Sequence, residues 1–273
     1  MNMNTRILTP LLSMLAIAAI ILPHKSEATV VEFQTVLGNF EVNLYDNATP
    51  ITVANFLDYV NNAAYSSSIV HRSVPDFIVQ GGGFRFDLNW PATPIPANAA
   101  ITNEPEFSNL RGTIAMAKTS QPDSATTQWF FNLADNSANL DIQNEGFTAF
   151  GEVVGNGMEV VDAIAALQRF NFGSPFGELP LRSNNNGNPD ETNLVIVTAV
   201  IVTDTTVDSA GAAGLNPTPN TLINQPPVTP PAPSDGGGGG GAIGLLTLLL
   251  LLCTTLSAQI ARRLTISPRQ PSE

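Results

Sequence analysis

His71-Arg72-Ser73-Val74-Pro75-Asp76-Phe77-Ile78-Val79-Gln80-Gly81-Gly82-Gly83-Phe84 sets one arginine and one glutamine among apolar side chains and closes on three consecutive glycines. On an extended chain, side chains alternate with period two, so Arg72, Val74, Asp76, Ile78 and Gln80 share a face. A turn at Pro75-Asp76 breaks that parity and lets Phe77 join them. A cationic fork and an amide beside apolar residues suit a surface that grips a peptide. A buried strand whose arginine is satisfied by backbone carbonyls is the other reading the segment allows. The glycines do not form a phosphate cradle, because neither Gly-x-Gly-x-x-Gly nor a following Lys-Ser/Thr is present. They read as a turn.

Working outward, Val31–Val36 and Asn39–Leu44 alternate around Leu37-Gly38 as a half-buried hairpin does. Thr49-Pro50 offers an N-cap and a first-turn proline, and Val53, Phe56, Leu57 and Val60 recur at helical spacing, which predicts a helix to about Ala64. A second helix is expected over Met158–Leu167, where Val160, Val161, Ile164 and Leu167 form one stripe. Gly112–Ala117, Gln128–Leu133, Thr148–Val154 and Leu194–Val202 read as strands separated by Gly, Asn, Asp and Pro. Many short strands with two helices predict one mainly-β domain over residues 29–203, a closed barrel with covered ends.

Composition removes several chemistries. The 273-residue chain carries a formal net charge of -12, so it lacks the clustered Lys and Arg that phosphate binding needs, and no nucleic-acid partner is expected. His24 falls in a leader, which leaves His71 alone in the domain, and Cys253 lies in an apolar run near the C-terminus. Disulfides, Cys/His zinc sites and a Cys-His dyad are thereby excluded from the folded region. His71 beside Ser and Asp residues does not make a hydrolase, since no Gly-x-Ser-x-Gly elbow occurs.

The two ends read as addresses. Arg6, the apolar run Leu11–Leu22 and Ser26-Glu27-Ala28 make residues 1–28 a secretory signal peptide cleaved after Ala28. An uncleaved anchor fits less well, because the run is short for a bilayer and ends at Pro23. Residues 204–241 read as a solvated, disordered linker rich in Pro and Thr that ends in the Gly236–Gly241 run. Ala242–Ala261 is apolar at spanning length and Arg262-Arg263 opens a basic tail over 262–273. This order resembles the GlyGly-type C-terminal sorting signal of Gram-negative bacteria, which implies processing by rhombosortase; a plain C-terminal anchor is the alternative. Either version makes the protein an exported one of the periplasm or cell envelope, held to the membrane by its C-terminal helix or released by processing.

Phe77–Phe84, Gly112–Ala117, Asp123–Asn132 and Phe150-Gly151-Glu152-Val153, in that order and spacing, resemble the cyclophilin-type peptidyl-prolyl cis-trans isomerases. The bacterial periplasmic branch is the nearest, since its members share the elements seen at Ala117-Lys118 and Ala134-Asp135-Asn136. The resemblance implies an eight-stranded antiparallel closed barrel capped by two helices. It also implies an isomerase that acts on proline-containing polypeptides and accelerates folding of exported proteins without metal or cofactor. Carried over residue by residue, it makes Arg72 the catalytic arginine and Gln80 a contact to substrate backbone. Phe77, Ile78, Phe130 and Leu140 fall in the proline pocket, Ala117 at a peptide-binding edge, and Gln128 at a second polar contact. Lys118 replaces an asparagine common in eukaryotic members, Phe147 stands where they carry a histidine, and Asn139 where many carry a tryptophan. Those departures imply a pocket of altered shape and weak cyclosporin binding. The rival reading is a non-catalytic proline-peptide-binding chaperone module that keeps the groove and has lost turnover.

Overall fold

The computed structural model describes residues 29–183, 187–205 and 216–223. Among these residues the chain forms, in order, β1 (Val30–Thr35), β2 (Gly38–Leu44), α1 (Pro50–Asn61), β3 (Ser68–Ile69), β4 (Arg72–Val74), β5 (Ile78–Gly81), β6 (Phe84–Arg85), β7 (Thr93–Pro94), β8 (Thr113–Met116), β9 (Trp129–Asn132), α2 (Ser137–Leu140), β10 (Ala149–Val153), α3 (Gly157–Ala165), β11 (Gln168–Phe170), β12 (Leu179–Leu181) and β13 (Ile196–Asp204). The strands expected from sequence fall within two residues of β8, β9, β10 and β13.

One antiparallel sheet runs in the order β4-β5-β9-β8-β10-β2-β1-β13-β3-β6-β7, with β11 and β12 forming a separate ribbon. The sheet curls, and register shifts in the β1/β13 and β10/β8 ladders add local twist. Its run of ladders begins at β4 and reaches β3, and only Val70 and His71 separate those two strands in the chain. Successive N–H groups of an extended chain point to opposite edges, so Val70 N donates to Val195 O at 3.0 Å on one side and His71 N to Gln80 O at 3.1 Å on the other.

Alternation assigns the two faces of this sheet. Trp129 and Phe131 of β9, Ile114 and Met116 of β8, and Val79 of β5 turn into the main core, whereas Phe130, Ala115 and Ile78 gather on the opposite face. Phe33 of β1, fully buried, is the hub of the core: its ring stacks on Phe40 at 5.1 Å and meets Trp129 and Phe131 edge-on at 5.1 and 5.4 Å. Each such side chain contributes about 2 to 3 kcal/mol on burial and each ring pair about 1 kcal/mol more. α1 buries Val53, Phe56 and Val60 against this core, and α3 buries Val161 and Ile164.

The ends of α1 differ from the expected ones. Thr49 makes no side-chain cap; its hydroxyl donates to Tyr45 O at 3.2 Å. The Glu104 carboxylate, from a loop distant in sequence, accepts instead from Ile51 N (3.2 Å), Thr52 N (2.8 Å) and the Thr52 hydroxyl (2.8 Å). A carboxylate at a helix N-terminus satisfies free donors and meets the positive end of the helix dipole. The helix stops at Asn61, and Ala63 turns to φ 52° beyond it. Three helices occur among the described residues where two were expected, the extra one being the single turn α2.

Part of the stretch read as a disordered linker lies on the domain. Ser108 N donates to Thr218 O at 2.9 Å, Asn220 N to Glu106 O at 2.8 Å, and the buried Asn220 amide to Asp141 O at 2.9 Å. This attachment runs through backbone groups, one asparagine and the Ser108 hydroxyl, which donates to Pro219 O at 3.3 Å, and a search for large apolar residues passes over all of these. The signal peptide (1–28), the Gly236–Gly241 run, the apolar segment 242–261 and the basic tail 262–273 lie outside the described residues. Among the described residues no helix is long and apolar enough to cross a membrane.

Gly82 closes β5 at φ +72°, and a Cβ there would lie 2.6 Å from Trp129 Nε1 and 2.8 Å from Thr127 O. Gly155 also has a positive φ (+58°) but nothing within 4 Å. Gly82→Ala is therefore expected to lower the unfolding free energy by more than about 2 kcal/mol, combining backbone strain with overpacking. Gly155→Ala, with strain alone, costs about 1 kcal/mol. Urea unfolding of both variants checks the difference, and equal losses would contradict the packing argument.

Candidate active site

The opening stretch folds as a tight hairpin. Asp76 adopts φ 55° in its turn, and Phe77 N donates to Val74 O at 3.2 Å. In the β4/β5 register Arg72 stands opposite Gln80 and Val74 opposite Ile78, so the shared face comes from cross-strand pairing rather than from one extended strand. The same row continues through the next ladders: Gln80 faces Phe130, Phe130 faces Ala115, and Ala115 faces Ala149. A register slip of one residue would send every member of this row into the core.

The apolar half of the site is one cluster. Ile78, Ala115, Phe130, Leu140 and Ala149 are buried in it, and Val74, Phe77, Phe107, Ala117 and Phe147 pack on it while keeping exposed surface. Phe130 and Phe147 meet edge-on with ring centroids 6.0 Å apart. Lys118 Nζ sits 4.6 Å from the Phe147 ring centroid and donates to Asn144 O at 2.6 Å. Partial burial pulls the Lys118 pKa down to about 8, against the opposing pull of Glu145 and Asp123. The sequence-derived pocket residues Phe77, Ile78, Ala117, Phe130, Leu140 and Phe147 thus share one surface. Asn139 is half-buried beside Leu140, its N–H bonded to Asn136 O at 3.0 Å.

The polar half lies along one rim. Arg72 Nη1 donates to Gln80 Oε1 at 3.3 Å, and Gln80 Nε2 donates to Gln128 Oε1 at 2.8 Å. Arg72 is neither a satisfied core arginine nor free: Glu178 Oε2 lies 3.4 Å from its Nε. Burial lowers the Arg72 pKa from the ordinary guanidinium value while Glu178 raises it, and a guanidinium remains protonated throughout.

Asn109 and Asp141, which the sequence did not single out, join Asn132 and Asn136 of the quoted motifs in holding the apolar cluster from behind. Asn136 Nδ2 donates to Phe77 O at 2.9 Å and to Asn132 Oδ1 at 2.7 Å. Asn109 donates through Nδ2 to Phe147 O and to Asp141 Oδ1, both at 3.0 Å, and through its backbone N to Asp141 Oδ1 at 2.7 Å. Asn109, Asn132 and Asp141 are completely buried, and a buried polar group that lacks partners costs about 1 to 3 kcal/mol. The network fixes the Phe77 and Phe147 backbones. Asn and Asp are common in loops, so their spacing carries no signal for a buried network. Glu178 likewise follows a glycine in a turn-rich stretch and is brought to Arg72 only by folding.

A family model described as "Cyclophilin type peptidyl-prolyl cis-trans isomerase/CLD" matches residues 30–184. A peptidyl-prolyl cis-trans isomerase of Acinetobacter baylyi is 44% identical over 151 residues, covering 55% of this chain and 79% of its own. Peptidyl-prolyl cis-trans isomerase A of Dickeya dadantii is 42% identical over 182 residues, covering 65% and 93%, and isomerase B of Escherichia coli is 40% identical over 139 residues, covering 50% and 83%. The chain belongs to the cyclophilin-type peptidyl-prolyl cis-trans isomerases, and its fold is the family's curled, mainly-β antiparallel sheet. The motif reading of fold family and enzyme class agrees with this.

His71 precedes the arginine and is buried, its ring edge-on to Phe84 at 5.0 Å. Burial, reinforced by the Arg72 charge, pushes its pKa from 6.5 down to about 3, with hydrogen bonds to Gln128 and Ile69 acting the other way. Its folded pKa is thus depressed: the contribution to stability is complete above the unfolded pKa and is lost as pH falls from 6.5 towards 3, because only the unfolded chain takes the proton. Between pH 7 and 5 the protein should lose about 2 kcal/mol that a His71→Asn variant does not lose. Urea unfolding at the two pH values tests this, and parallel losses would place the acid sensitivity elsewhere.

Proposed function

We propose that Arg72 is the catalytic donor, that the Phe77, Ile78, Phe130, Leu140 and Phe147 surface holds the proline ring, and that Gln80, Gln128, Ala117 and Lys118 line the peptide path. Rotation about a peptide bond must break amide resonance, a barrier of about 18 to 20 kcal/mol, whereas the two X-Pro isomers differ by only about 0.5 to 1 kcal/mol. At the twisted transition state the prolyl nitrogen is pyramidal and carries a lone pair. A guanidinium N–H that reaches it stabilises that state more than either planar isomer. An acceleration of roughly 10⁵ requires about 7 kcal/mol, within reach of a charged hydrogen bond acting beside a dry apolar pocket. The observation that carries this reading is the Arg72–Gln80 cross-strand pair set at the rim of the single apolar cluster that contains Phe130.

The eight-stranded closed barrel of the family also fits this chain. It is supported by the pairing of β3 with β13 and of β4 with β5, two halves of one continuous segment. The ring then counts β3/β4, β5, β9, β8, β10, β2, β1 and β13.

The clients are exported proteins and the working place is the periplasm or envelope of a Gram-negative cell, within the periplasmic branch. Support comes from the signal-peptide pattern of residues 1–28 and from the glycine run, apolar segment 242–261 and Arg262-Arg263. Rhombosortase processing would remove the chain beyond the Gly236–Gly241 run, and retention would leave a membrane anchor. Intact-mass measurement of envelope and secreted fractions separates these: loss of everything past the glycines supports processing, and full-length membrane-bound protein ending at Glu273 supports the anchor.

Arg72→Ala is expected to lower kcat/KM on a proline peptide by a factor on the order of 10² or more with the fold retained, measured by protease-coupled or NMR exchange assay. Arg72→Lys should also be impaired, since a point charge lacks the planar fork. Near wild-type turnover by folded Arg72→Ala would sink the assignment. Full peptide affinity without isomerisation in the unaltered protein would favour the non-catalytic binding module.

A further inference from the structure

Glu178 is the acidic group that faces the arginine, and the fold holds it there firmly. Its carbonyl accepts from Ser73 N at 2.9 Å, which ties it to the strand that carries Arg72. Just before it, the buried Phe176 packs edge-on against Phe84 at 4.9 Å and tilted against Trp90 at 4.7 Å; just after it, Leu179 is completely buried. The carboxylate therefore sits on a packed aromatic support rather than on a free loop tip. It lies against Nε of Arg72 while Gln80 takes a donor from Nη1, so the guanidinium is held from two sides. The Glu178 side chain is 47% exposed and that of Arg72 23%, so a peptide entering along this rim meets the negative group more openly than the positive one.

We propose that Glu178 is a positioning residue for Arg72 and the determinant of charge selectivity at the site, favouring X-Pro peptides with a cationic side chain beside the proline over those with an acidic one. The proposal rests on the reading of Arg72 as the catalytic donor. A carboxylate that fixes the fork raises the fraction of encounters in which an N–H is aimed at the prolyl nitrogen, which acts on kcat. The same charge attracts a Lys or Arg side chain and repels Asp or Glu through solvent, an effect of a few-fold that added salt screens. Replacing Glu178 by a neutral residue leaves the Arg72 charge uncompensated and turns the rim cationic.

The test measures kcat and KM by NMR exchange and protease-coupled assay on the full chain, using three otherwise identical peptides with Lys, Ala or Glu before proline. In the unaltered protein the Lys/Glu ratio of kcat/KM should exceed one and fall towards one in high salt. Glu178→Gln should lower that ratio about three- to tenfold, and Glu178→Ala should lower kcat on the Ala peptide several-fold with little change in KM. In an Arg72→Ala background the kcat effect of Glu178→Ala should vanish, because there is no fork left to position. A ratio at or below one in the unaltered protein, or one unmoved by both salt and Glu178→Gln, overturns the proposal even if Arg72→Ala remains inactive. An active Arg72→Ala protein instead marks failure of the catalytic reading beneath it. The salt series needs no substitution, so the selectivity claim stays testable should a Glu178 variant not fold.

Discussion

Cross-strand register is the constraint on which the molecule depends. Because side chains alternate, β5, β9, β8 and β10 each send one set of residues into the core and the other onto the outer face. Trp129 and Phe131 seal the inside around Phe33, while Phe130 between them becomes the centre of the apolar surface outside. Core and site are thus two faces of the same four strands, and the energy that holds the core in register also holds Arg72 opposite Gln80. A site built this way is as rigid as the sheet beneath it.

Rigid strands alone do not set the pocket, since Phe77, Leu140 and Phe147 come from turns and from the short helix α2. Asn109, Asn132, Asn136 and Asp141 take up that task by bonding one another and the Phe77 and Phe147 carbonyls from within. Removing one partner would leave the rest buried and unsatisfied, which is why such networks act as a unit. Lys118 lies over the Phe147 ring on the outer side of this cluster. The result is a site whose floor is apolar, whose rim on one side is a guanidinium between an amide and a carboxylate, and whose other edge carries an ammonium with a lowered pKa.

Much of this was legible from the chain. The first hairpin, the bodies of α1 and α3, and the strands carrying Ile114, Phe131 and Phe150 follow from apolar periodicity, because a buried face must repeat with the period of its element. That Phe77, Ile78, Ala117, Phe130, Leu140 and Phe147 belong together was read by a different route, through motifs in series that resemble a family, and the structure gathers them in one apolar cluster; no periodicity distinguishes Phe130 from Phe131. What escaped has a common cause. Glu104 at the start of α1, Glu178 beside Arg72, Asn220 on Asp141 and the Asn109–Asp141 pair are polar contacts between segments far apart in the chain. A polar residue has the same local pattern in a solvated loop as in a buried hydrogen bond, so nothing near it in sequence reveals its partner.

By itself, then, the sequence determined which residues could form a core and the two periods that make strands and helices; these depend on local geometry and on residue type. Only the tertiary structure decided that Arg72 faces Gln80 across a turn rather than along one strand, that a carboxylate from the β11–β12 connection stands against it, and that residues 216–223 rest on the domain. Those outcomes depend on how the sheet curls and on which distant loops it brings together, and curvature is the sum of many small twists and bulges that no short stretch of sequence records.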